Sequence, residues 1–241
     1  KAITFGGKER TYQAWAGIDA TQLAADRRQN PYTYENEVDD FQQDHYQFHW
    51  NEKLNNRWST NIGLNYTKGQ GFFEQFKADR DATDYNNLIA DGSDVIVRRW
   101  LDNKFYVANF NATYKQENLE VISGFSYSEY SNKHFGEVIW GEDLASTTNI
   151  RDHYYDSYSR KNDFSMFSKA TFKLANKLTA YADLQYRKVR YKTNGLTSDR
   201  DPINVDETFN FFNPKFGATY TLNESQHVYF SFAVANKEPN R

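Results

Sequence analysis

The chain has no cysteine among its 241 residues, which removes disulfide scaffolds, thiolate metal sites and cysteine nucleophiles together. Compartment stays open, since an oxidising space permits disulfides without requiring them. Only 4 prolines and 12 glycines are present, too few for a collagen-like or proline-rich disordered chain. No run approaches the ~20 consecutive apolar residues of a membrane-spanning helix, and the mean hydropathy is −0.90. Lys and Arg number 29 against 32 Asp and Glu, so there is no basic stripe of the kind that nucleic acid selects. No signal peptide is visible, and the chain starts at Lys1 and stops at Arg241 just after a strand pattern. It reads as a piece of a longer protein.

What is present is an alternation that returns hairpin after hairpin. Trp58, Thr60, Ile62, Leu64 and Tyr66 alternate with Ser59, Asn61, Gly63, Asn65 and Thr67. Successive side chains of a strand point to opposite faces, so this segment has one apolar face and one wet face. Tyr46, Phe48 and Trp50 repeat the pattern, as do Tyr106 to Tyr114, Val121 to Tyr127, Phe164 to Phe172, Leu178 to Tyr186, Phe216 to Tyr220 and Val228 to Val234. Ser123 and Ser168 fall on the apolar side, and Ile122, Phe167 and Tyr181 on the polar side. Charge never crosses over. A face that meets lipid explains this exclusion, because Arg or Lys at the bilayer midplane costs ~2–4 kcal/mol. Aromatic residues make up 17% of the chain, a surplus that girdles at the two water–lipid boundaries account for.

Four short polar turns punctuate the chain: Leu54 to Arg57, Lys115 to Asn118, Leu174 to Lys177 and Leu222 to Gln226. Each contains Asn, which suits a hairpin, and each joins two strands of roughly ten residues, the length of a tilted membrane strand. Long polar segments separate the hairpins, at about 71–103, 131–161 and 192–207, with another at 18–40 before the first. Short turns on one side and long loops on the other are the asymmetry of outer-membrane barrels. The expected fold is all-β, an antiparallel up-and-down transmembrane β-barrel, with about nine strands beginning near residues 9–17. These form an arc of a larger barrel, although a closed barrel of eight or ten strands is a further option. A soluble β-sandwich that binds carbohydrate through loop aromatics is the alternative from another class. It would bury the same apolar faces against each other, but strands in globular proteins are usually about 5–6 residues long.

Several groups are candidates for chemistry. Arg98, Arg99 and Trp100 end the second long segment. They offer bidentate donors and a stacking face to an anionic ligand, or form a basic loop end with a belt anchor. Trp140, Tyr154 and Tyr155 lie in the third, where they stack on sugar or chelate rings or pack that loop on its neighbours. These six are the candidate ligand-binding residues. His45 and His49 share a polar strand face, but their Cα atoms lie ~13 Å apart, too far to share a metal unaided. Glu35, Glu37, Asp39, Asp40 and Asp44 form an acidic loop end that matches no calcium-loop spacing. Gly69-Gln70-Gly71 precedes no clear helix, so a phosphate cradle does not follow. No Gly-x-Ser-x-Gly elbow and no Ser, His and acid trio is found. The expectation is therefore a non-enzyme with no catalytic residue, no metal site and no cofactor.

Lys8-Glu9-Arg10-Thr11-Tyr12-Gln13-Ala14-Trp15-Ala16-Gly17, Tyr34 to Asp40 and Gln43-Asp44-His45-Tyr46-Gln47 resemble recurring stretches in TonB-dependent receptors of Bacteroidetes-type bacteria. So do Gly136-Glu137-Val138-Ile139-Trp140, Ala182 to Arg187, Asn210-Phe211-Phe212-Asn213-Pro214-Lys215 and the tail Ala233 to Arg241. The resemblance spans most of the chain. It implies a 22-stranded barrel with a plugged lumen in the bacterial outer membrane, with residues 1–241 wholly within the barrel domain. It implies energy-coupled import of a scarce nutrient, an iron chelate, a cobalamin or a glycan. The implied partners are outer-membrane lipid, a small-molecule ligand and TonB, the last through a plug region absent from this chain. No nucleic acid is expected. Without the plug, this piece alone is not expected to be transport-competent.

Overall fold

The computed structural model describes residues 1–12, 17–29, 32 and 34–239. Gln13 to Ala16 of the first family-like stretch and Asn240-Arg241 of the last lie outside the described residues. The described chain is almost wholly strand: β1 (Ala2–Tyr12), β2 (Val38–Lys53), β3 (Trp58–Arg80), β4 (Ser93–Gln116), β5 (Leu119–Gly141), β6 (His153–Ala175), β7 (Leu178–Leu196), β8 (Pro202–Phe212), β9 (Lys215–Asn223) and β10 (Gln226–Ala233). A six-residue helix, α1 (Ala20–Ala25), is capped at Asp19, and a 3₁₀ turn spans Ala82–Tyr85. All pairings of the named strands are antiparallel, and every strand but β9 that follows another in sequence pairs with the one before it. The result is a single open up-and-down sheet, an arc of a barrel. No second sheet covers its apolar face among the described residues, so the sandwich alternative fails.

Ten strands replace the expected nine through one interruption. Strands β8 and β9 both pair with β7, β8 along Tyr186–Leu196 and β9 along Leu178–Asp183. The register carries through without a slip, from Tyr186 opposite Phe212 to Asp183 opposite Lys215. Asn213-Pro214 breaks the strand because Pro has no N–H for the ladder. Strand β1 covers Ala2–Tyr12; the strand expected near 9–17 overlaps it at 9–12, and positions 13–16 lie outside the described residues. Its positions Ala2, Thr4, Gly6, Lys8 and Arg10, which share the parity of the apolar side, carry no large apolar residue, so the alternation is silent there.

The four short turns stand where expected. In the first, the Asn55 side-chain oxygen accepts from the Arg57 and Trp58 N–H groups at 2.8 and 2.9 Å, a side-chain turn that closes the hairpin. The long segments are a different matter. Strands β3 to β6 run 23 or 24 residues, so 71–103, 131–161 and 192–207 are mostly strand. The connections shrink to 81–92, 142–152 and 197–201. Past the lipid both faces are wet, so alternation no longer marks the strand.

Register fixes the lipid face. Trp50, Ile62, Phe110, Phe125, Met166, Tyr186 and Phe212 fall in one cross-strand row. Tyr46, Tyr66 and Tyr106 form a stacked ladder at its upper edge, with ring centroids 5.8 and 4.8 Å apart, and Trp58 tilts on Tyr114 at 4.9 Å near the turns. Trp58 to Tyr66 is ~26 Å along the strand, which suits a tilted strand crossing an apolar band about 25 Å tall. The two serines on this face meet each other: Ser123 and Ser168 share a 2.8 Å hydrogen bond. Changing either one alone to Ala is expected to cost about 0.6–1 kcal/mol, and changing both close to nothing. A double-mutant cycle on unfolding in bilayers reads the difference.

The opposite face is polar, and three of its aromatics stand over glycines. Phe167 stands opposite Gly124, Tyr181 opposite Gly217 and Phe41 opposite Gly71. A Cβ at Gly69 would also fall 2.9 Å from the Phe41 ring. The glycine cluster is thus a seat for Phe41, since a ring laid over a strand glycine restores the packing the missing side chain forgoes.

Candidate functional site

Beyond the aromatic row, the loop ends fold over the polar face. Val95 and Val97 of β4, Val138 of β5, and Tyr154 and Tyr155 of β6 pack with Tyr85 and Ile89 of the 81–92 connection into a small buried core. Leu88, Leu144 and Leu196 pack against it. The two longer connections are stitched together by an Ile89–Leu144 bridge and by N–H donation from Ala90 to the Asp143 carbonyl at 2.9 Å and from Ala145 to the Leu88 carbonyl at 3.0 Å. Tyr85 and Tyr154 are tilted rings 5.0 Å apart. Burial, and then the neighbouring Tyr154, pushes the Tyr85 phenol up to about 12. It therefore stays neutral at every physiological pH.

Strand parity splits the six sequence candidates. Arg99 lies on the polar face, where its Nε donates to the Tyr154 hydroxyl at 3.2 Å and its guanidinium stands 5.8 Å from the Phe73 ring centre. Tyr154 and Tyr155 meet edge to face at 4.9 Å. Both fit one side because the β5–β6 register shifts between Gly136 and Glu137 and Gly136 leaves room for both rings. Arg200 ties the group down, donating to the Tyr154 carbonyl and, at 2.8 Å, to Asn86. Arg98 and Trp100 fall on the other, lipid-side parity. There Arg98 Nε donates to Glu74 at 2.6 Å and Trp100 Nε1 donates to Glu137 at 2.9 Å. Trp140 is exposed and stands opposite Ile96, away from both groups. All six lie on strands, not in loops.

A cleft of about 980 Å³ opens beside the inner trio, over β5 to β8. Its walls carry the rings of Tyr130, Tyr191 and Phe209, the hydroxyls of Ser157, Ser159 and Thr193, and the charges of Lys161, Glu207 and Glu238. His134 joins it to the trio, since its Nε2 lies 3.2 Å from the Tyr155 hydroxyl. Lys161 and Arg187 hold Glu238 at 2.8 and 2.7 Å, which pins the segment after β10 against the polar face. Asn132 lines the same cleft with a side-chain oxygen that has no hydrogen-bond partner. Sequence reading singled out none of these as ligand-binding residues. Their signal was parity, visible only once the strands are carried past the lipid. The arrangement can hold a ring-bearing solute through stacking, hydroxyl contacts and a few charges.

The other candidate clusters come apart. His45 Nδ1 meets the Thr67 hydroxyl at 2.9 Å and its ring stacks on Phe5 at 4.5 Å, so it is a satisfied wall residue. Asp40 pairs with Lys8 at 3.0 Å and Arg10 at 3.3 Å, while Asp39 takes the opposite face. Among the described residues no group of three potential metal ligands converges.

The family description "TonB dependent receptor-like, beta-barrel" matches residues 3–240. No curated protein sequence matches. Among solved structures, the ferric-catecholate import receptor Fiu from E. coli K12 is similar over 96% of this chain and 40% of its own, with a TM-score of 0.63 at 12% identity. The ferric citrate transporter FecA gives a TM-score of 0.58 at 11% identity, over 89% of this chain and 30% of its own. The ferric yersiniabactin uptake receptor FyuA from Yersinia pestis gives 0.50 at 12%, over 80% and 28%. The chain thus spans 40% or less of the length of these structures. Its apolar band faces the lipid of the bacterial outer membrane, and the chain belongs to the TonB-dependent receptor family through its β-barrel.

Proposed function

We propose that the chain forms part of the barrel wall of a receptor that imports a scarce nutrient, with energy from TonB delivered through a plug region outside this chain. The observation that carries this reading is the polar-face cleft at the loop end, bordered by the Arg99–Tyr154–Tyr155 group. Rings, hydroxyls and paired charges suit an iron chelate, a cobalamin or a glycan, each too large and polar for passive entry. The reading assigns Lys161, Tyr191 and Glu207 of the cleft wall to cargo contact, with Tyr154 and Tyr155 buried behind it. Reaction chemistry has no place in it: the family is one of receptors and transporters.

The test is uptake by cells carrying the full-length receptor, supplied with each of the three cargo classes as sole source. One class is expected to support growth, growth is expected to need TonB, and Lys161→Ala is expected to raise the concentration for half-maximal growth about tenfold, the loss of one charge-assisted contact. Growth unaffected by deletion of the receptor or of TonB on every class would overturn the proposal.

A further inference from the structure

The segment after β10 turns back over the polar face and carries a carboxylate of its own into the cleft. Glu238 and Pro239 are part of the cleft wall. The Glu238 oxygens take charge-assisted hydrogen bonds from two cations. Lys161 Nζ and Arg187 Nη2 donate to Oε1 at 2.8 and 3.1 Å, and Arg187 Nη1 donates to Oε2 at 2.7 Å. Arg187 and Glu238 thus meet through two parallel N–H groups, the fork in which a guanidinium takes a carboxylate. The same guanidinium also holds Asp163, its Nε 3.0 Å from Oδ1. Lys161 and Asp163 are successive polar-face positions of β6, and Arg187 stands beside them on β7.

Little else holds this segment down. From Ala233 to Pro239 only Val234 and Glu238 are even partly covered. The Val234 N–H donates to the Pro214 carbonyl at 3.0 Å, and the Asn236 N–H donates to the Asn213 side-chain oxygen at 2.8 Å. Beyond Asn236 the hold is ionic. The Lys161 side chain is 39% exposed, and an ion pair that water reaches is weak. A carboxylate arriving through the cleft therefore competes with Glu238 on near-equal terms. With Glu238 swung away, Lys161 and Arg187 face one carboxylate, Asp163, and the site takes one negative charge. Glu207, the other acid of the cleft wall, lies on β8 opposite Tyr191 and repels any further negative charge. One carboxylate suits this wall, and a polyanion does not.

We propose that Lys161 and Arg187 form a carboxylate site that Glu238 fills while the cleft is empty. A cargo bearing one carboxylate beside a ring displaces Glu238 and releases the 234–239 segment from the wall. The proposal rests on the reading of the cleft as the cargo site, and it narrows the cargo to an acidic chelate or an acidic glycan. Glu238 is an internal competitor, so the apparent affinity falls by the fraction of sites it leaves open.

The experiment uses the full-length receptor in detergent, titrated at constant ionic strength with para-fluorobenzoate and with its neutral counterpart para-fluorobenzamide. Binding is read by fluorine NMR, and the state of the segment by hydrogen exchange across 234–239. The wild type is expected to bind the acid about tenfold more tightly than the amide. Exchange in the segment is expected to rise at saturation with the acid and to stay unchanged with the amide. Glu238→Gln is expected to bind the acid about tenfold more tightly than the wild type, the gain expected where Glu238 closes about nine sites in ten, and to show the raised exchange without ligand. Lys161→Gln is expected to lose the preference for the acid. Heat-sensitive gel mobility shows that each variant is a folded barrel, and the wild-type titration stands without them. Equal binding of acid and amide by the wild type overturns the proposal. So does a folded Glu238→Gln variant that binds the acid no more tightly, or a segment whose exchange is unmoved at saturation. None of these readings needs TonB or growth. Failure here with uptake intact strikes only the exchange, whereas failed uptake strikes the import reading.

Discussion

Ile62→Arg is expected to lower the stability of the inserted receptor by about 2–4 kcal/mol, while Asn61→Arg, one residue away, is expected to change it by less than about 1 kcal/mol. Ile62 sits midway between Trp58 and Tyr66 on β3 and pairs with Trp50 and Phe110 on the lipid side. A guanidinium there has no charge partner within the apolar band, and the aromatic rows block an easy route to water. Asn61 points to the polar face, where its side chain bonds to Asn51, and an arginine there reaches solvent. Denaturant titration of the full-length receptor in bilayers reads both variants. Equal costs would mean that the assignment of faces is wrong.

Tyr154→Ala is expected to cost about 3–5 kcal/mol at the loop end, and Tyr154→Phe only about 1–3 kcal/mol. The alanine variant empties a site that is 1% exposed and removes both ring contacts, to Tyr85 and to Tyr155. The phenylalanine variant keeps the packing and strips Arg99 of one acceptor. Because the membrane strands pair independently of this core, the loss shows locally. Hydrogen exchange is expected to rise across 81–92 and 142–152 in the alanine variant, and to stay near wild type in β2 and β3 between the aromatic rows. An unchanged exchange pattern would sever the two connections from Tyr154.

The lipid band was legible in the sequence because nothing else forbids charge so strictly on one parity. Trp58 to Tyr66 alone shows which side meets the acyl chains, and the four Asn-bearing turns show where the chain reverses. The upper half of the sheet was not legible. From Lys68 to Arg80 or from Ser93 to Lys104, polar and apolar residues occur on both sides, since water wets both and the periodicity loses its cause. Arg98 and Arg99 therefore read as one basic patch, although adjacent strand residues face apart by necessity. Tyr154 and Tyr155 are the reverse case. Alternation would separate them, and only the register shift beside Gly136 brings both rings to one side. No local pattern announces such a shift.

The extension of β3 to β6 well past the tyrosine row has a mechanical consequence. The groups proposed to meet a solute, Lys161, Tyr191 and Glu207, ride on hydrogen-bonded ladder and not on free loop. Their spacing is set by the 4.7–4.9 Å between strands and does not drift with the tips. Connections of the size of 142–152 can then change length or composition while the wall below keeps its grip, so recognition and tip variation become separable properties of one stiff palisade.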